Sequence, residues 1–217
     1  MNSIAAPQSE QRRIKVWDPF VRLFHWTLVA AFFVAYFTED EMLALHVWAG
    51  YLVGGLIAMR IVWGFVGPKH ARFSDFVVSP LTALSYARDL IAFRARRYVG
   101  HSPAGGLMAL ILLAALPLVV WTGLELYAAE KNAGPLAAGS VPVLIAAPAR
   151  ADEDDGRERG RGERNGERDG GWGDLHEALA NLVFFLVLFH IGGVAVASVA
   201  HRENLVGAMF SGWKRAE

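Results

Sequence analysis

The sequence predicts an all-α fold, an integral membrane bundle of four helices. Four separate runs are apolar over about 20 residues, the length a helix needs to cross the hydrocarbon core of a bilayer. Across the 217 residues, 54% are hydrophobic, above the usual share for a soluble domain. A third observation separates the chain from a simple anchor: histidines stand inside those apolar runs. Length and composition imply one domain over residues 1–217.

The formal net charge is zero, which removes the electrostatic basis for binding nucleic acid. The chain has no cysteine, so disulfides, thiolate metal sites, covalently attached c-type haem and iron–sulfur clusters are excluded. Any redox group must be held by histidine.

The first run covers about Phe20–Phe37. Arg12, Arg13 and Lys15 precede it as they would a signal peptide, but no small-residue cleavage site follows before Thr38–Glu41, so it is read as a span. The second covers about Met42–Val66. Between the second and third spans, PLTALSYARDLIAFRARRY (Pro80–Tyr98) places Leu81, Leu84, Ala87 and Ile91 on one face among arginines, the pattern of an amphipathic helix along the membrane surface. The third run covers about Pro103–Tyr127. The connection that follows, 128–173, contains DEDDGRERGRGERNGERDGG, a charged, glycine-rich tract at 152–171 with no aliphatic residue. Such a tract cannot bury enough apolar surface to offset its chain entropy and reads as a disordered outer loop. A cleavage-like stretch at Val141–Asp152 is internal, and its apolar part is too short for a leader. The fourth run is Asp174–Ala200.

Four crossings return the chain to the side on which it began. Lys and Arg choose that side. They gather in the N-terminal tail, in the second connection (Lys69, Arg72, Arg88, Arg94, Arg96, Arg97) and in the C-terminal tail (Arg202, Lys214, Arg215), whereas Thr38–Glu41 has none. The arginines of the third connection, Arg157 to Arg168, alternate with acids. Both termini are therefore expected in the cytoplasm, with the bundle in a bacterial inner membrane. Trp17, Trp48, Trp63, Trp121 and Trp172 sit near span ends as an interfacial belt.

Of seven histidines, His70 and His201 lie in or beside basic segments and read as surface residues, and His101 before the third span reads as a helix-start or packing residue. Four remain. His25 stands near the cytoplasmic end of the first span, His46 opens the second, and His176 and His190 share the fourth. Fourteen residues separate the last two, which on an ideal helix is about 21 Å of rise and about 40° from eclipsed. Both rings project from nearly one face. If that face meets the first two spans, His176 opposes His46 and His190 opposes His25, and each pair suits one haem with two axial imidazoles. The plainer alternative satisfies each ring with a neighbouring hydroxyl or carbonyl. Zinc or copper is less natural, because the pairs lie too far apart to share an ion and no carboxylate lies beside them. Gly50 and Gly54 follow His46 on its own face, leaving room for a flat macrocycle or for a close helix contact. Arg22, one turn before His25, and Arg60, near the inner boundary, are candidates to pair with haem propionates; snorkelling to the interface is the alternative for Arg60.

RLFHW (Arg22–Trp26), LHVWAGYLVGGLIAMRIVWGFVG (Leu45–Gly67), GHSPAGGLM (Gly100–Met108) and LHEALANLVFFLVLFHIGG (Leu175–Gly193) together resemble the prokaryotic cytochrome b561 family, which includes the b-type cytochrome subunits of membrane-bound nickel–iron hydrogenases. The resemblance covers all four spans. It implies two haem b groups, one held by His25 and His190 on the cytoplasmic side and one by His46 and His176 on the outer side. It also implies electron transfer between the quinone pool and a redox partner, with GHSPAGG pointing to cytochromes that work beside a hydrogenase or a c-type cytochrome. No catalytic residue is assigned: an electron-transfer cytochrome or redox subunit is expected rather than an independent enzyme. Two other readings stay open, a stand-alone quinol-linked haem oxidoreductase acting on a small oxygen species, with Arg164 and Arg168 near its outer haem, and a haem-free transporter or anchor. Against the last, apart from Pro117 in the third span there is little sign of the midplane polar residues and broken helices of transporters. The long charged loop departs from relatives with short loops, and the sequence leaves open both the outer partner and whether the protein forms a homodimer.

Overall fold

The computed structural model describes residues 12–38, 42–137 and 162–216, with side chains from 171 onward in the last stretch. The all-α membrane fold holds: four helices are long and apolar enough to cross a bilayer. In chain order the elements are β1 (Arg13–Lys15), α1 (Pro19–Phe37), α2 (Leu43–Val66), α3 (Pro80–Ile91), α4 (Pro103–Lys131), α5 (Gly162–Ala200), α6 (Leu205–Ser211) and β2 (Trp213–Arg215), with short 3-10 turns at Lys69–Ala71 and Phe73–Asp75.

The helix limits differ from the sequence expectation around the third connection. α4 runs past Tyr127 to Lys131 because Ala128, Ala129, Glu130 and Lys131 are all good helix formers. α5 begins at Gly162, well before Asp174. Once a long helix is nucleated, each further residue adds a hydrogen bond without a new nucleus, so even a glycine-rich flank can propagate it. The rest of the expected loop, 138–161, lies outside the described residues.

The chain divides into two compact units. One comprises Phe24–Trp63 and Met108–Ile191, and it holds the larger part of all four long helices. Its core takes Ala31 and Phe32 from α1, Val53 and Ile57 from α2, Leu116 from α4 and the fully buried Val183 from α5. In lipid the hydrophobic effect does not draw helices together, so this contact rests on close packing and interhelical hydrogen bonds. Tyr36 supplies one of each: its hydroxyl donates to Asn181 Oδ1 at 2.7 Å, and its ring stacks on Phe184 at 4.7 Å.

The other unit comprises Met1–Leu23, Gly64–Leu107 and Gly192–Glu217. Here β1 and β2 pair antiparallel, Arg13 opposite Arg215, so these N- and C-terminal segments lie side by side. Helix α3 starts at the Ser79 cap, whose hydroxyl accepts from the Thr82 backbone N–H at 3.2 Å, with Pro80 at the first helical position. The expected amphipathic segment, 80–98, is helical only to Ile91. Ala83, Tyr86 and Leu90 are buried and pack with Ala197 and its neighbours, while Leu81, Leu84 and Ile91 are exposed on the opposite side. Gly64 is required by contact: a Cβ there would lie 2.2 Å from the Phe73 ring.

Beyond α5, Glu203 organises the tail. Its buried carboxylate accepts from Arg97 at 2.9 and 3.2 Å and from the Arg215 backbone N–H at 3.1 Å, and Lys214 approaches at 3.7 Å. Burial pushes the Glu203 carboxyl up, but the Arg97 and Arg215 hydrogen bonds and the cationic neighbours outweigh it and hold the group below its usual range. His201 is half-buried, not a free surface residue: its Nε2 lies 3.0 Å from the Tyr86 hydroxyl, and burial, with Lys214 and Arg97 nearby, pushes its pKa down. Replacing Glu203 by Gln leaves Lys214 and Arg97 without their counter-charge, and is expected to destabilise this unit by about 3 kcal/mol. The comparison is a thermal melt in detergent above the carboxylate range, where Glu203 is ionised. Because its folded pKa is lowered, its contribution fades as pH falls through that range, and the gap between the two proteins should close there. An unchanged melt at neutral pH would contradict this role.

Candidate functional site

All four candidate ligand histidines belong to the same compact unit. His46 lies in the first turn of α2, His176 in α5 beyond its glycine-rich start, His25 near the start of α1 and His190 fourteen residues after His176.

His46 and His176 face one another with ring centroids 6.0 Å apart and planes at 80°. His46 Nδ1 lies 2.8 Å from the Ala35 carbonyl. Ala35 is in the last turn of α1, and its carbonyl also accepts from the Thr38 backbone N–H at 3.3 Å. His176 Nδ1 lies 3.1 Å from the Val119 carbonyl and 3.1 Å from the Thr122 hydroxyl oxygen. A carbonyl can only accept, so each Nδ1 carries the proton and donates. Each Nε2 is then left with a lone pair. The Thr122 hydroxyl spends its own proton on the α4 carbonyls of Leu118 and Val119, both at 3.0 Å, so its oxygen is free to accept from His176.

The two rings line a cavity whose walls come from all four long helices and are mostly apolar, among them Phe32, Val53, Leu116 and Val120. Gly50 lines it too, and a Cβ built there meets nothing within 4 Å, so the missing side chain is open space. Gly54 serves the other role expected of this pair: its Cβ would sit 3.3 Å from Val120, a close helix contact. At Gly123 a Cβ would lie 2.9 Å from His176 Cε1, so the imidazole occupies the place of the absent side chain.

A metal between two imidazoles, at bonds of about 2.0–2.1 Å each, sets its ligating nitrogens about 4 Å and the ring centroids about 6 Å apart. The observed separation and the apolar space beside the rings are compatible with a metal-centred group that His46 and His176 would hold.

His25 and His190 are close enough to interact electrostatically. The Nδ1 atom of His25 is buried without a hydrogen-bond partner among the described residues, and the Trp26 ring stands edge-on to it at 5.0 Å. The two arginines separate. Arg60 is buried at 7% exposure, which speaks against snorkelling. Arg22 belongs to the other unit, where it donates to the Phe210 carbonyl at 2.5 Å. Neither lines the cavity of His46 and His176. Sequence reasoning missed Thr122, Gly123, Tyr51 and the carbonyls of Ala35 and Val119. The dipeptide Thr122-Gly123, small and polar within an aliphatic run, was the one available signal; carbonyl positions leave none.

The family model for prokaryotic cytochrome b561 matches residues 16–212. No curated protein and no solved structure matches the chain.

Substituting Gly123 by Ala forces the His176 ring off its position, and a destabilisation of about 1–3 kcal/mol is expected in thermal unfolding of the detergent-solubilised protein. Gly55→Ala, on α2 away from the cavity and with nothing within 4 Å of the added Cβ, should leave the melting temperature close to that of the parent. Equal effects at the two glycines would contradict the contact assigned to Gly123.

Proposed function

The chain belongs to the prokaryotic cytochrome b561 family, membrane proteins that bind haem b and transfer electrons across the bilayer, and from that premise we propose a two-haem cytochrome of the bacterial inner membrane. His46 and His176 hold one haem, and His25 and His190 the other. The protein carries electrons between the quinone pool and a redox partner outside the lipid, such as a c-type cytochrome or a hydrogenase.

The observation that carries the reading is the opposed pair His46 and His176, each with Nδ1 tied to a backbone carbonyl, which leaves each Nε2 a lone pair. Haem b, when bound, supplies an iron that changes oxidation state by one electron. The chain's residues do the rest. The Ala35 and Val119 carbonyls fix the tautomer and ring orientation of their histidines and make them stronger donors to a metal. Thr122 adds a second acceptor beside His176. Phe32, Val53, Leu116 and Val120 line the space apolar and keep water away, which sets the local dielectric and through it the redox potential. The two pairs are offset along α5 by about 21 Å of helix rise, so electrons have two stations at different depths. Cytoplasmic termini are supported by the Lys and Arg distribution, and the pairing of β1 with β2 agrees with both ends sharing a side.

The deciding experiment is expression in haem-sufficient cells, purification in detergent, a reduced-minus-oxidised spectrum, and haem per chain by pyridine haemochrome. Two b-type haems are expected. His190→Leu should lower the ratio to one with membrane insertion intact, and His176→Leu should remove the other haem. Folded protein that retains none would refute the cytochrome reading; undiminished haem in both variants would refute the ligand assignment alone.

A further inference from the structure

The cavity between the long helices contains a polar atom that the histidine chemistry leaves unused. Tyr51, five residues after His46 on α2, lines the same space. Its hydroxyl oxygen is buried and has no hydrogen-bond partner among the described residues. Other polar side chains on the wall are engaged: Tyr36 donates to Asn181, His46 donates to Ala35, and His176 to Val119 and Thr122. The surroundings hold the Tyr51 ring in place. Trp48 meets it edge-on at 5.8 Å, and a Cβ at Gly134, a residue with φ of 88°, would come within 3.4 Å of the hydroxyl.

A buried hydroxyl without a hydrogen-bond partner is disfavoured. The partner should therefore belong to whatever fills the cavity. Haem b is an apolar ring bearing two carboxylates, and a phenol O–H is a good donor to a carboxylate oxygen. We propose that Tyr51 is a positioning residue for the haem held by His46 and His176, donating its hydroxyl proton in a hydrogen bond to one haem carboxylate. The proposal rests on the two-haem reading above. It assigns to Tyr51, rather than to Arg22 or Arg60, a polar anchor of this particular haem, and with it a means of tuning potential. A carboxylate that accepts a hydrogen bond presents less negative charge to the iron, so loss of the bond favours the oxidised form.

The test is redox titration of Tyr51→Phe beside the unmodified protein, with haem per chain measured on both. Two haems should remain, and the midpoint potential of one should fall by the equivalent of a three- to tenfold change in its redox equilibrium, about 30–60 mV for one electron. The haem that responds should be the one lost in His176→Leu. Both potentials unchanged with two haems retained would overturn the role of Tyr51 and leave the cytochrome reading standing. Absence of haem from the unmodified protein would overturn both. Redox-difference infrared spectra of the unmodified protein give a check that does not depend on the variant folding. Ring-deuterated tyrosine should shift a band if a phenol is bonded to the haem periphery, and a spectrum insensitive to that label would overturn the assignment.

Discussion

A histidine ring in a membrane interior has two nitrogens to satisfy, and the hydrogen bond made by one dictates what the other can do. His46 and His176 both commit Nδ1 to main-chain carbonyls, Ala35 on α1 and Val119 on α4. Those bonds remove the cost of burying the N–H. They also leave each Nε2 with a lone pair. The rest of the arrangement follows from this. The short connection between α1 and α2 brings the end of one helix beside the start of the next, so a carbonyl in the last turn of α1 is within reach of a ring in the first turn of α2.

Keeping two rings apart across an apolar cavity requires the surrounding helices to be close elsewhere and open here. Small residues achieve both. Gly54 lets α2 approach Val120 of α4, Gly123 admits the His176 ring, and Gly50 leaves its space empty. The core of Ala31, Phe32, Val53, Ile57, Leu116 and Val183 joins the four long helices beside the cavity. The segments around β1, β2 and α6 use different physics. There a buried carboxylate, Glu203, gathers Arg97, Lys214 and the Arg215 main chain into one network. Such a network fixes where the chain ends lie more than it adds stability.

Much of the candidate site was legible in the residues. A ring with a carbonyl partner and a ring that binds a metal look like rival explanations of a membrane histidine, yet an imidazole has room for both. His176 satisfies the first on Nδ1 and leaves Nε2 for the second. The spacing of His176 and His190 on one helix required no tertiary information, because helical periodicity alone aligns them. Arg22 shows the limit of the same method: it stands one turn from His25, yet its guanidinium reaches the Phe210 carbonyl, a partner 188 positions away in sequence.

The sequence by itself determined the four membrane-length helices, the histidines placed inside them and the family to which the chain belongs. These are properties of composition and period, which local stretches carry in full. The tertiary structure decided which nitrogen of each ring is occupied, that Thr122 and the Val119 carbonyl serve His176, that Gly123 must lack a side chain, and that Tyr51 brings a spare hydroxyl into the cavity. Each of these depends on atoms from different helices meeting within a few ångströms, and carbonyls, being common to every residue, leave no mark in a sequence to announce the meeting.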